Sequence, residues 1–264
     1  VCSSDLEDSS PIWYNQEYTQ TDFVHGWERL LRTYSSEWNL MGIEIIGSPN
    51  LPAKWGLDKD VEIETNNYRT FVTDFLTEIV SSVPTYKGLF MISALGEDNL
   101  QPFALEPLDK KSLPDGIMKR LVYTIHIFSS GENDGSRDSI QENKVGSGRY
   151  AFDEAKLPDP TGKLISTWSK RFGTFIKQSD QAVLVDGISG KYSSSNGNDK
   201  ILNVLTNYMV DSCIASAIWW NVDTDNMSTM SPAEREWNEY NPSVLTKIVQ
   251  YPTIIQRSEE HTSE

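Results

Sequence analysis

Few side chains in these 264 residues are equipped for chemistry, and most of them fall where short apolar runs end. Runs at residues 40–46, 88–94, 120–127, 182–185 and 215–221 end in Gly47-Ser48-Pro49, Leu95-Gly96-Glu97-Asp98, His126-Ile127-Phe128, Asp186-Gly187-Ile188 and Trp220-Asn221-Val222-Asp223. Acid–base work needs proton-carrying groups that converge on one bond. The acids at these ends are scattered over several runs instead. Of three histidines, only His126 sits at such an end, too few for a histidine-rich metal site. The inventory is aromatic, with one well-placed imidazole.

Short apolar runs without inside/outside alternation are what a parallel sheet, covered on both faces, requires of its strands. Between them the apolar residues recur at helical spacing. A helix is predicted at residues 21–34, with Phe23, Trp27, Leu30, Leu31 and Tyr34 on one face. A second, at 65–83, carries Tyr68, Phe71, Val72, Phe75, Leu76, Ile79, Val80 and Val83 until Pro84 stops it. Helices follow at 161–177 and 198–212, and a last one opens with Asn241 as N-cap and Pro242 in its first position. Strand alternating with helix predicts an α/β fold of repeated βα units with parallel pairing, whose chemistry sits at the carboxyl ends of the strands. The polar stretches 129–148 and 189–199 read as long loops at that end.

Composition excludes several classes. With 38 acidic against 23 basic side chains and a net charge of -15, affinity through phosphate neutralisation is not expected, so neither nucleic acid nor an anionic membrane surface is a predicted partner. No apolar run reaches the roughly 18 residues that span a bilayer. The two ends are set apart. Arg257-Ser258-Glu259-Glu260-His261-Thr262-Ser263-Glu264 reads as a translated sequencing adapter, and Val1-Cys2-Ser3-Ser4-Asp5-Leu6 as the reverse strand of the same adapter. Residues 1–6 and 257–264 are therefore expected to be artefact, with one domain over residues 7–256. Without the ends the net charge is -12 and Cys213 stands alone, so no intrachain disulfide forms.

Taken in order, these strand ends resemble glycoside hydrolase family 5, the cellulase-like retaining β-glycosidases, over residues 11–252. Trp13-Tyr14 with Asp22-Phe23 and Trp27 is similar to the segment after that family's third strand. GIEIIGSPNLPAKWG, residues 42–56, follows G-x-D-L-x-N-E-P-x-x-P-x-x-W-G, and LVYTIHIF, residues 121–128, follows L-V-Y-S-x-H-x-Y. VLVDGISGKY, residues 183–192, matches V-L-I-G-E-F-G-G-K-Y. Residues 219–223 resemble W-S-W-N-P-D, and 237–245 resemble D-W-x-x-x-N-P-x-x-L. The resemblance implies a (β/α)8 TIM barrel truncated to about its last five βα units, no cofactor, no metal, and a β-linked polysaccharide or oligosaccharide as ligand.

The family's retaining chemistry uses two glutamates about 5 Å apart, one donating a proton and one attacking the anomeric carbon. The resemblance puts Ser48 at the acid/base position and Gly187 at the nucleophile position, so no catalytic pair is intact. Gly47 replaces the preceding asparagine and Phe128 the tyrosine that bonds the nucleophile. His126, Trp220 and Asn221 match the family's sugar-contacting residues: Trp220 as an apolar platform, His126 as a hydroxyl partner. Asn226-Met227-Ser228 is a glycosylation sequon, a hint of a secreted parent.

The expected function is a catalytically impaired, family 5-like protein that keeps a β-glycan-binding cleft. Two alternatives remain open. One is an active retaining hydrolase, of endo-β-glucanase or mannanase type, with displaced carboxylates, Asp186 with Glu97. The other is a scaffold that binds no carbohydrate. Against the first, Asp186 is expected to point away from the barrel mouth unless a bulge intervenes, because neighbouring strand residues face opposite ways. Glu97, Asp223 and Asp225 read as solvated loop acids, Glu44 as a structural hydrogen-bond acceptor, and Trp13, Trp55 and Trp237 as loop anchors. Strands at 40–46 and 215–221 would be the two edges of an open five-stranded sheet. The isolated polypeptide is therefore expected to be poorly stable; a cooperative, reversible urea transition would contradict this.

Overall fold

The computed structural model describes residues 12–47, 49, 53–56, 66–95, 99–130, 149–151, 160–190, 198–214 and 216–219. The chain packs as two units, Val1–Thr124 with Gln178–Ala182, and Ile125–Lys177 with Val183–Glu264. Strand and helix alternate through both, as the apolar periodicity predicts.

In the first unit, helix α1 (Gln20–Tyr34) starts one residue before its predicted position because Thr19 and Asp22 form a reciprocal capping box. The Thr19 hydroxyl and backbone N–H both donate to the Asp22 carboxylate, holding its pKa below the usual value. Strand β1 (Gly42–Glu44) follows, then helix α2 (Tyr68–Ser82), capped by the Asn67 side chain, which accepts from the Thr70 N–H. Six residues of α2 are buried, from Tyr68 to Ile79, at the spacing that predicted the helix. Strand β2 (Leu89–Ser93), the short helix α3 (Gln101–Leu105) and a 3₁₀ turn at Ile117–Arg120 lead to strand β3 (Leu121–Ser130). Here β1 pairs with β2, and β2 with the start of β3, all parallel.

The core of this unit is aromatic. Trp13 is buried and stacks on Phe71 with ring centroids 4.5 Å apart, and Tyr68, Phe23 and Phe75 continue the cluster. Trp55 stacks on Phe103 at 3.9 Å and donates its indole N–H to the Glu106 carbonyl. Both tryptophans thus anchor chain outside the regular elements, the role expected of them. Arg120 ties the loop before β2, donating to the Tyr86 and Gly88 carbonyls while its guanidinium lies over the Phe90 ring.

In the second unit β3 runs on and neighbours β5 (Ala182–Gly190), which pairs in parallel with β6 (Ala217–Trp219). A short strand not predicted from sequence, β4 (Arg149–Ala151), pairs with the end of β3 directly after the stretch read as loop. The helix predicted at 161–177 is broken into α4 (Pro160–Trp168), a π-helical turn (Ser169–Gly173) and α5 (Thr174–Gln178). Tyr208 of helix α6 (Asn198–Asp211) explains the break: its hydroxyl lies 3.1 Å from the Ser169 hydroxyl, where a Cβ on Gly173 would come within 2.1 Å of the Tyr208 oxygen. The wider turn carries its backbone around that ring. The helix predicted after Asn241 lies outside the described residues.

Two substitutions test this packing. Gly173→Ala forces Tyr208 out of contact and is expected to cost about 1–3 kcal/mol. Phe71→Ala removes the centre of the first unit's aromatic stack, an expected loss of about 3–5 kcal/mol, whereas fully solvated Trp38 tolerates Trp38→Ala within about 0.5 kcal/mol. Amide hydrogen exchange in α2 and α6 reads both.

Candidate functional site

Strand β3 is the axis of the site. Leu121, Tyr123, Ile125 and Ile127 are buried, and Tyr123 meets Phe103 edge to face. By the two-residue period of a strand, Thr124 and His126 share the opposite face. The sequence puts a hydroxyl and an imidazole on that face, where an apolar pair would suit a plain core.

In the first unit Thr124 donates its hydroxyl to Glu44 Oε1 on β1 at 2.8 Å. Glu44 is thus the acceptor its position suggests. A Cβ on Gly47 would lie 3.5 Å from Glu44 Oε2, so this glycine closes the carboxyl end of β1 against the same carboxylate without crowding it. Tyr68 is buried nearby, and burial, followed by the charge of Glu44, raises its hydroxyl pKa well above the ordinary value. Ser93 and Thr124 are fully buried as well. Polar groups collect at this end of the strands.

In the second unit His126 Nε2 lies 2.9 Å from Asp186 Oδ1, with 17% and 8% of the two side chains exposed. Among the described residues Asp186 Oδ1 has no aligned hydrogen bond, although two lone pairs cannot face each other at that distance. A proton therefore belongs to this contact. The expectation for Asp186 allowed for an intervening bulge, and the pairing of β5 is irregular at this point. Val185 is fully buried, so alternation turns Asp186 to the other side. The pairing with β6 then slips: Val185 opposes Ala217 and Ile188 opposes Trp219, three steps on β5 against two on β6. The register shift falls between Val185 and Ile188, across Asp186-Gly187.

The other candidates are distributed unevenly. Gly187 lies within β5 and Phe128 within β3. Ser48, Glu97, Trp220 and Asn221, like Asp223, Asp225 and Trp237, lie outside the described residues. The His126–Asp186 contact escaped the sequence reading, although one signal was available: an acid directly after a fully apolar Ala-Val-Leu-Val run.

The sequence matches no protein-family model and no curated protein. Solved structures do resemble the fold. The catalytic domain of the major endoglucanase from Xanthomonas campestris pv. campestris superposes with a TM-score of 0.68 at 18% identity, over 90% of this chain and 64% of that one. A Pyrococcus horikoshii endocellulase in complex with cellotetraose gives 0.69 at 17% identity, over 92% and 65%. A glycoside hydrolase 5 lichenase from a Caldicellulosiruptor species, also with cellotetraose, gives 0.60 at 12%. The fold is therefore a partial (β/α)8 barrel with parallel strands β1, β2, β3, β5 and β6, and the chain spans about 65% of the endocellulase's length.

The Glu44 contact yields a measurable expectation. Thr124→Val keeps the shape but removes one charge-assisted hydrogen bond to the half-buried Glu44 carboxylate, at a cost of about 1.5–3 kcal/mol. Thr124→Ser restores the hydroxyl and is expected to recover most of that loss, read by hydrogen exchange in β1 and β3.

Proposed function

We propose that this chain is a glycoside-hydrolase-like barrel that binds a β-linked glucan or related glycan and cleaves it poorly. The observation that carries the reading is at the end of β5. Gly187, where the resemblance to family 5 puts the nucleophile, offers no side chain, and the adjacent acid is held against His126. Ser48, at the acid/base position, has a hydroxyl that cannot protonate a leaving group near neutral pH. General acid–base catalysis contributes about 10²–10⁴ in rate, and losing the covalent route compounds that loss.

The binding half of the proposal rests on what matches. His126, Trp220 and Asn221 remain at the positions of sugar-contacting residues, and the structural neighbours include proteins crystallised with cello-oligosaccharides. An indole face suits the C–H face of a pyranose, and an imidazole at a strand end can hydrogen-bond a hydroxyl. Nothing in this chemistry calls for a metal or an organic cofactor. The adapter-like ends, residues 1–6 and 257–264, take no part in it.

Isothermal titration with cellohexaose tests binding. Trp220→Ala and His126→Ala are each expected to weaken it about tenfold or more, equivalent to about 1.4 kcal/mol. The double variant Ser48→Glu, Gly187→Glu is expected to raise hydrolysis of a soluble β-glucan by about 10² or more over the parent. A parent that neither binds cellohexaose nor responds to the double substitution is a scaffold without a carbohydrate role.

A further inference from the structure

We infer that His126 and Asp186 form a proton-accepting pair that activates water, so that whatever glycoside cleavage this chain performs proceeds with inversion at the anomeric carbon. The inference rests on the β-glycan reading above and changes its chemistry. A retaining hydrolase needs a carboxylate touching the anomeric carbon, with its partner about 5 Å away; a carboxylate set further back leaves room for one water and inverts. In β5 the position of the attacking group is glycine, and the acid one residue earlier is drawn to an imidazole 2.9 Å away. Asp186 is thus set back, beside a residue that occupies no side-chain volume.

The environment suits a base. The Asp186 side chain is 8% exposed, and its Oδ1 lies 2.9 Å from His126 Nε2, a contact that holds the carboxylate against the imidazole. His126, through Oδ1, acts as a positioning residue: it fixes the carboxylate and leaves Oδ2 to take a proton. The register of β5 against β6 shifts between Val185 and Ile188, the two residues that flank Asp186-Gly187.

The step balances without a protein acid only when the leaving group departs as a stable anion. The water oxygen bonds to C1 as one of its protons passes to Asp186 Oδ2. The C1–O bond to the leaving group breaks, its electron pair going with the departing aryloxide. Asp186 then releases its proton to solvent. The substrate class is therefore β-glycosides of acidic alcohols, and an unactivated β-glucan, whose leaving oxygen must be protonated, is a far poorer substrate.

The test uses 2,4-dinitrophenyl β-cellobioside and the whole chain. Dinitrophenolate release above the spontaneous rate is expected, with α-cellobiose as the first-formed sugar by proton NMR before mutarotation. Asp186→Asn is expected to lower the rate about 10²-fold or more. His126→Gln is expected to shift the pH profile of kcat, a signature that loss of packing alone does not give. First-formed β-cellobiose overturns the inference without use of any variant. So does a wild-type rate equal to background, or a folded Asp186→Asn variant as fast as wild type. Cellohexaose binding by the wild-type chain without inverting cleavage removes the water-activating pair and leaves the glycan-binding reading intact; failure to bind cellohexaose removes the reading beneath both.

Discussion

The two-residue period of the strands is the constraint from which the site follows. A strand in a parallel barrel has one side against helices and the other against the inner face, and only one of these tolerates polar groups. In β3 the buried side is Leu121, Tyr123, Ile125 and Ile127, which leaves Thr124 and His126 together on the other. In β5 buried Val185 makes the same choice for Asp186. Each polar side chain then meets a partner on another strand of its own unit, Thr124 with Glu44 across β2 and His126 with Asp186 on the adjacent β5. Shifting β3 by one residue would bury the imidazole among helices and present Ile125 to the polar face.

Much of the scaffold was legible in the sequence because its signals are local. The run from Tyr68 to Ile79 keeps helical spacing, Pro84 ends it, and the helix runs over Tyr68–Ser82. The parallel strands show as unbroken apolar runs, found within a few residues of their ends. What was not legible depends on distant contacts. Nothing near Gly173 announces that Tyr208, thirty-five positions later, will need its space and widen the helix into a π turn. Strand β4 follows a polar stretch and is three residues long, too short to announce itself before the end of β3 offers it a partner. The register shift beside Asp186 belongs to the pairing with β6 and leaves no mark on the strand itself.

Persistence of polar residues is, by itself, weak testimony to catalysis. Once a carboxylate and an imidazole are packed on the inner face, removing either leaves the other buried and short of a partner, which costs more than the contact contributes. Glu44 with Thr124 and Asp186 with His126 would therefore survive loss of activity as interlocked pairs.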